Sequence, residues 1–210
     1  MKQVTKLNDI DFIEHGFYDA FDSQTVSNPL LMNQVHSVDT LFVTEMYEIL
    51  PSVDALITTK PRMILTVKTA DCAPILIVDT NTKIIAAIHA GWKGALQGII
   101  ENTVLQMMRM GAQPNSMIAG IGPHLQKESF EADSQMRALF PITEQHFFTP
   151  KEDGIHFLFD FHAYIVHRLN RAGIFQIDSI LADTYTNNNY NSYRRDPNNP
   201  ARQYSCICIK

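Results

Sequence analysis

Three side chains of the types that bind soft metal ions are His36, Cys72 and His89. A thiolate and two imidazoles suit zinc or copper. Taken singly, a cysteine reads as a small buried hydrophobe and a histidine as a structural or surface group. Spacing changes the reading for two of them. Asp79-Thr80-Asn81-Thr82 separates two apolar runs and has the chemistry of a tight turn. With Thr80 and Asn81 as a two-residue loop, Asp79 faces Thr82 and Cys72 falls directly across from His89, on one face of a hairpin. Side chains so placed can share an ion. A loop one residue longer or shorter reverses the facing, and Pro74 cannot donate to the ladder. No local pattern ties His36 to the other two.

The elements that must position these residues are legible in part. Apolar, β-branched runs at 63–67, 74–78 and 83–89 read as buried strands. From 94 to 109 the period becomes helical, with Leu96, Ile99, Ile100, Val104, Met107 and Met108 recurring and Gly111 as the stop. The methionines in that stripe read as core packing. A strand over 116–121 follows, then a helix over 161–171 with Phe161, Tyr164, Ile165 and Leu169 inward. Late strands cover 177–182 and 204–209, and residues 187–191 and 196–200 are loops. The first thirty residues show no clear pattern. Strands and helices mix without strict alternation, and no repeat or linker divides the chain. The expectation is an α+β fold of mixed β-sheets packed with helices, a single domain over 1–210.

Composition narrows the function classes. Hydrophobic residues at 45% and charged residues at 19% exclude a disordered chain. A net charge of −5 lacks the basic footprint of a nucleic-acid partner. No apolar run reaches the roughly 18–20 residues of a membrane span, and the first residues lack the apolar core of a signal peptide. Three cysteines cannot all pair, and Cys206 and Cys208, one residue apart on a strand, lie awkwardly for a bridge. A reducing, cytoplasmic setting is expected, with no nucleic acid and no membrane as partner. The number of subunits is not legible.

Five further stretches extend the pattern beyond single residues. Gln34-Val35-His36, Thr69-Ala70-Asp71-Cys72-Ala73-Pro74 and His89-Ala90-Gly91-Trp92-Lys93-Gly94 are followed in order by Gly120-Ile121-Gly122-Pro123 and Tyr193-Arg194-Arg195-Asp196 with Arg202-Gln203. Together they resemble the signature blocks of the laccase-domain, or multicopper polyphenol oxidase, family, whose members resemble zinc-dependent purine nucleoside phosphorylases with adenosine deaminase activity. The resemblance implies His36, Cys72 and His89 as ligands of Zn2+, with copper as the alternative ion. It also implies an α/β/β/α-type layered sandwich. The implied substrates are purine nucleosides and phosphate: phosphorolysis of adenosine, inosine and S-methyl-5'-thioadenosine to the free base and the (methylthio)ribose 1-phosphate, and deamination of adenosine. Ser37 stands where the family usually has Gly, Lys93 where it has Arg, and His124 and Asp183-Thr184 depart as well. None of these removes a ligand.

Three protein ligands would leave a fourth position open to water or substrate, the catalytic arrangement. Asp71, beside Cys72, is the candidate for moving protons to a leaving group. Lys93, Arg194, Arg195 and Arg202 are the cations of the matched blocks that could grip phosphate. Trp92 or Tyr193 could stack on the purine, although a tryptophan there reads first as core. Three rival readings remain. A copper-dependent polyphenol oxidase would need many histidines, and this chain has eight with no His-X-His pair. A hydrolase would use Cys72 as nucleophile, activated by His89 or His36. A purely structural metal would need a fourth protein ligand, for which His124 is the residue to test. Whether His124 or Asp183 approaches the metal is open.

Overall fold

A computed structural model describes residues 1–210, apart from the side chain of Gln24. Along the chain run α1 (Thr5–Asn8), β1 (Ile13–Phe17), β2 (Thr40–Phe42), β3 (Ala55–Thr58), β4 (Leu65–Thr69), β5 (Ala73–Asp79), β6 (Ile85–Ala90), α2 (Trp92–Gln97), α3 (Ile99–Arg109) and β7 (Met117–Ile121). Then come β8 (Glu131–Asp133), α4 (Ser134–Ala138), β9 (Phe148–Pro150), β10 (His156–Phe159), α5 (Phe161–Arg171), β11 (Gln176–Ser179) and β12 (Gln203–Ile209).

The central strands are apolar on both faces because both faces are covered. Six strands pair in the order β11-β7-β5-β6-β3-β2, antiparallel in the middle and parallel at either end. On one face, Ile75, Ile77, Ala86 and Ile88 pack with Ile99, Val104, Met107, Phe161 and Ile165 of α3 and α5. On the other, Leu76, Val78, Ile85 and Ala87 meet Leu65, Val67 and Ile207 of a second sheet, β1-β12-β4. Alternation along each strand thus feeds two cores, each buried Leu or Ile contributing roughly 1.5–3 kcal/mol. Both cores share the six-stranded sheet, so the chain folds as one unit. A small sheet, β8-β10-β9, joins the helix side through Ala132, Phe148 and Phe159. This is the mixed, layered α/β arrangement expected, with the one-turn α1 tucked beside β1 and β7 through Leu7.

Several elements differ from the expectation. The helix over 94–109 is two helices, because Gly98 adopts φ 106° and ends α2 while opening α3. Glycine takes that left-handed conformation at little cost, and its N–H closes α2 on the Gly94 and Ala95 carbonyls. Met108 is exposed, not inward. The unpatterned N-terminus supplies α1 and β1. The hairpin loop is longer than two residues: Asp79 N–H bonds Ile84, and Lys83 N–H bonds Asp79. The Asp79 carboxylate draws the turn round itself, accepting from Asn81 N, Thr82 N and Thr82 Oγ1 at 3.0, 2.7 and 2.9 Å. Pro74, not Cys72, therefore stands opposite His89. The shift is two residues, so the facing of side chains survives it.

Candidate metal centre

Each candidate ligand comes from a different place. Cys72 lies at the corner between β4 and β5, after Asp71 at φ 87°; His89 lies on β6; His36 lies at φ 60° in the loop before β2. Two side chains dock that loop. The Gln34 carboxamide pairs both main-chain groups of Lys68 on β4, donating to its carbonyl at 2.7 Å and accepting from its N–H at 2.8 Å. Asp54, fully buried immediately before β3, accepts from the N–H groups of Val35, His36 and Ser37 at 3.2, 3.0 and 2.6 Å. Consecutive N–H groups curled round one anion form a nest, and the left-handed His36 backbone is part of that curl.

The donor atoms converge. One ligand atom from each of His36, Cys72 and His89 lies within 4.8 Å of the others. Cys72 Sγ is 3.6 Å from His36 Nε2, which is about the sulfur–nitrogen separation that tetrahedral zinc bonds of roughly 2.3 and 2.05 Å produce. The donor set therefore fits zinc. Gly91 makes the room: a Cβ there would collide with the His36 ring and stand 3.2 Å from Cys72 Sγ. Its φ of −75° is open to any residue, so space alone demands glycine.

Charges at the centre are coupled. Burial would push the Cys72 thiol up, but the His89 charge, with hydrogen bonds from His36 and His89, outweighs it and brings the thiol down to about 6. Burial would push His89 down, and the Cys72 thiolate together with Asp54 raises it to about 9. Burial works against the Asp54 carboxylate too, yet its hydrogen bonds from His89 and Ser37 bring it down to about 2. Without an ion, the two shifts, each caused by the other group, favour a thiolate on Cys72 and a proton on His89.

The centre opens into a cleft of about 1090 Å³. Lys93 lines it, exposed, with its ammonium 5.5 Å from the centre of the Trp92 ring. Arg202 lines it and donates to the carbonyls of Asn199 and Ala201. Arg194 lines it too, lying over the Phe130 ring and donating to Ser129 and Glu131 carbonyls. Asp71 is in the wall with both oxygens engaged: Oδ1 accepts from Thr184 Oγ1 and Oδ2 from Arg194 N–H, each at 2.7 Å. Trp92 is half-buried and faces the cleft while stacking on Phe140, and Tyr193 is exposed at the rim.

Other candidates are placed elsewhere. Arg195 does not line the cleft; its guanidinium donates to the carbonyls of Thr184, Tyr185 and Tyr190 and holds that loop together. His124 is fully buried, with Nδ1 on the Gly122 carbonyl at 2.7 Å, and Asp183 caps turns by accepting from Gln126 N, Ser129 Oγ, Tyr185 N and Thr186 Oγ1. Neither belongs to the converging group, which among the described residues has no fourth member. Sequence reasoning missed Asp54, Gly91 as a spacer, and Lys68, a further cation of the cleft. The one signal for Asp54 is an acid at the head of an apolar run, Asp54-Ala55-Leu56-Ile57.

Residues 17–210 match the family described as multi-copper polyphenol oxidoreductase laccase. A Rickettsia prowazekii protein named purine nucleoside phosphorylase is 39% identical over 170 residues, covering 79% of this chain and 70% of that protein. The Escherichia coli protein named purine nucleoside phosphorylase YfiH is 31% identical over 172 residues, 81% of this chain and 70% of that one. A solved Neisseria meningitidis structure of the DUF152 family superposes with a TM-score of 0.80 at 29% identity, covering 90% of this chain and 78% of its own.

Proposed function

The chain belongs to the multi-copper polyphenol oxidoreductase laccase family, and from that premise we propose that it is a zinc-dependent purine nucleoside phosphorylase. Its substrates in this reading are adenosine, inosine and S-methyl-5'-thioadenosine, each cleaved by phosphate to the free base and the (methylthio)ribose 1-phosphate, with deamination of adenosine as a second activity. Its relatives carrying the purine nucleoside phosphorylase name support an enzyme of that kind. The observation that carries the reading is that three ligand atoms within 4.8 Å of one another sit at the wall of a cleft lined by Lys68, Lys93, Arg194 and Arg202.

His36, Cys72 and His89 would hold the ion. Zinc when bound supplies Lewis acidity to the reacting centre. The chain's own residues do the rest. Lys93, an exposed ammonium at the cleft on the segment that follows His89, and Arg202 balance phosphate charge; Lys in place of Arg keeps the charge and gives up the two-pronged grip. Trp92 and Tyr193 offer aromatic faces to a purine. Asp71 has both oxygens occupied, so we assign it to holding the Cys72 corner against the 194 loop, not to proton transfer. Among the described residues no helix is long and apolar enough to cross a membrane; separately, the three unpaired cysteines accord with the cytoplasm.

The test is incubation of the purified protein with adenosine, with and without phosphate and with and without a chelator, reading products by chromatography. Adenine that requires phosphate and disappears with chelator is the expected result; inosine formed without phosphate is expected alongside it. Zinc-loaded protein that forms neither product overturns the purine assignment. The depressed Cys72 thiol beside His89 favours one rival, a cysteine hydrolase. That reading requires chelator-resistant turnover and rapid alkylation of Cys72. The copper reading rests on the family's description. Among the described residues one donor group is present, so it would be served by one ion; phenol oxidation by copper-loaded protein, absent from zinc-loaded protein, would establish it.

A further inference from the structure

Asp54 bonds to two of the three candidate ligand residues, His36 through its main chain and His89 through its ring. Its carboxylate is wholly shielded from solvent and accepts five hydrogen bonds. Three come from the main chain of the His36 loop. A fourth comes from Ser37 Oγ at 2.9 Å, a donor that a glycine at 37 could not supply. The fifth comes from His89 Nδ1 at 2.7 Å. The Asp54 carbonyl also accepts the His89 main-chain N–H at 2.8 Å, so this one residue grips His89 by side chain and backbone together. A carboxylate left alone in such a place would be costly, and five donors offset that cost only while the loop and the strand keep their places.

We propose that Asp54 is the positioning residue of the metal centre: one buried carboxylate aligns His89 directly and His36 through its main chain, and thereby commits His89 to the ion through Nε2. The inference rests on the metal reading above. It follows from the imidazole's having two nitrogens, of which Asp54 occupies one. It also makes Asp54 the element that brings two ligands from distant segments into register before any ion arrives.

The experiment is zinc titration of the full chain in competition with a chromophoric chelator, for wild type, Asp54→Asn and Ser37→Ala. Asparagine keeps the shape but turns an NH2 toward groups that already donate. Zinc affinity is expected to fall about 10–100-fold for Asp54→Asn, and a few-fold for Ser37→Ala. Because Asp54→Asn can fail to fold, nitrogen NMR of His89 in zinc-loaded wild type stands beside it, with Nε2 bound to metal and Nδ1 protonated as the expected result. Nδ1 bound to the ion overturns the proposal, as does a folded Asp54→Asn with wild-type affinity. Wild-type protein that binds no zinc sinks the metal reading itself, and this inference with it.

Discussion

His89 and His124 are both buried imidazoles with Nδ1 2.7 Å from an oxygen, and they meet opposite fates. His89 is raised to about 9, whereas His124 is lowered from 6.5 to about 4. Burial pushes both down. His89 has the Asp54 carboxylate on one side and the Cys72 thiolate on the other. His124 has a neutral carbonyl, an amide from Gln126 on Nε2, and a second imidazole, His162, stacked at 5.3 Å. Burial alone therefore says nothing about the charge on a histidine; the charge of its contacts does. One corner gathers charged groups and donor atoms that could hold a metal ion, the other stays neutral and packed.

The largest way to break this contrast is to remove the thiolate. Cys72→Ala takes away a ligand and the partner that keeps His89 charged. Loss of zinc and a drop in kcat/KM of at least about 10³-fold are expected, since Lewis-acid assistance is worth several kcal/mol. Metal analysis with a phosphorolysis assay checks it, and full activity without metal would refute the zinc centre.

Gly91→Ala sharpens the contrast without altering any titrating group. The new methyl meets the His36 ring while the backbone stays in an ordinary conformation. Zinc affinity is expected to fall about tenfold or more, as it does when ligand orientation is disturbed, with little change in melting temperature. An unchanged affinity would mean that His36 is free to swing aside and is not part of a prearranged set.

The two corners also differ in how far the sequence discloses them. The ligands stand in motifs, and α5 falls at 161–171 as its apolar period requires. Cys72 and His89 come together as read, but not as a cross-strand pair: the turn at Asp79 is longer, Pro74 stands opposite His89, and Cys72 lies just before the ladder begins. Asp54 was beyond reach, because its role depends on β3 pairing with β6 so that Ala55 meets Ile88 and the residue before it reaches His89. Arg195 was misplaced for a related reason. A guanidinium in a loop serves phosphate or main-chain carbonyls equally well, and only the folded path of residues 184–190 decides. Local chemistry is legible where period or motif repeats it; contacts set by long-range register are not.

At the neutral corner, His124→Leu is expected to leave zinc binding unchanged, since His124 lies outside the converging donors. It strands the Gly122 carbonyl and leaves the Gln126 amide with the residue-124 carbonyl alone, so a stability loss of about 1–3 kcal/mol is expected by urea unfolding. Release of zinc by this variant would reinstate His124 as a fourth, structural ligand.

The smallest effect reads both corners in one curve, the pH dependence of stability of chelator-treated protein. His124 and His15 are each lowered from 6.5 to about 4, and His162 is lowered too. Below 6.5 the unfolded chain takes up protons that the folded chain refuses, so stability falls as pH drops toward 4. The slope is at most about 1.4 kcal/mol per pH unit for each such group. Cys72 and His89 behave differently. Between 6.5 and 9 the folded pair carries one proton, on the imidazolium, and the unfolded chain also carries one, on the thiol. Equal proton counts give no slope, so the pair leaves stability level through the neutral range. Urea midpoints from pH 8.5 to 4.5 should therefore be flat and then decline. The acid decline should be shallower in His124→Leu, the difference isolating that one imidazole. A steep change between pH 6.5 and 8.5 that Cys72→Ala abolishes would show that the folded pair does not hold one proton through that range, because one proton, whichever of the two side chains carries it, matches the count of the unfolded chain.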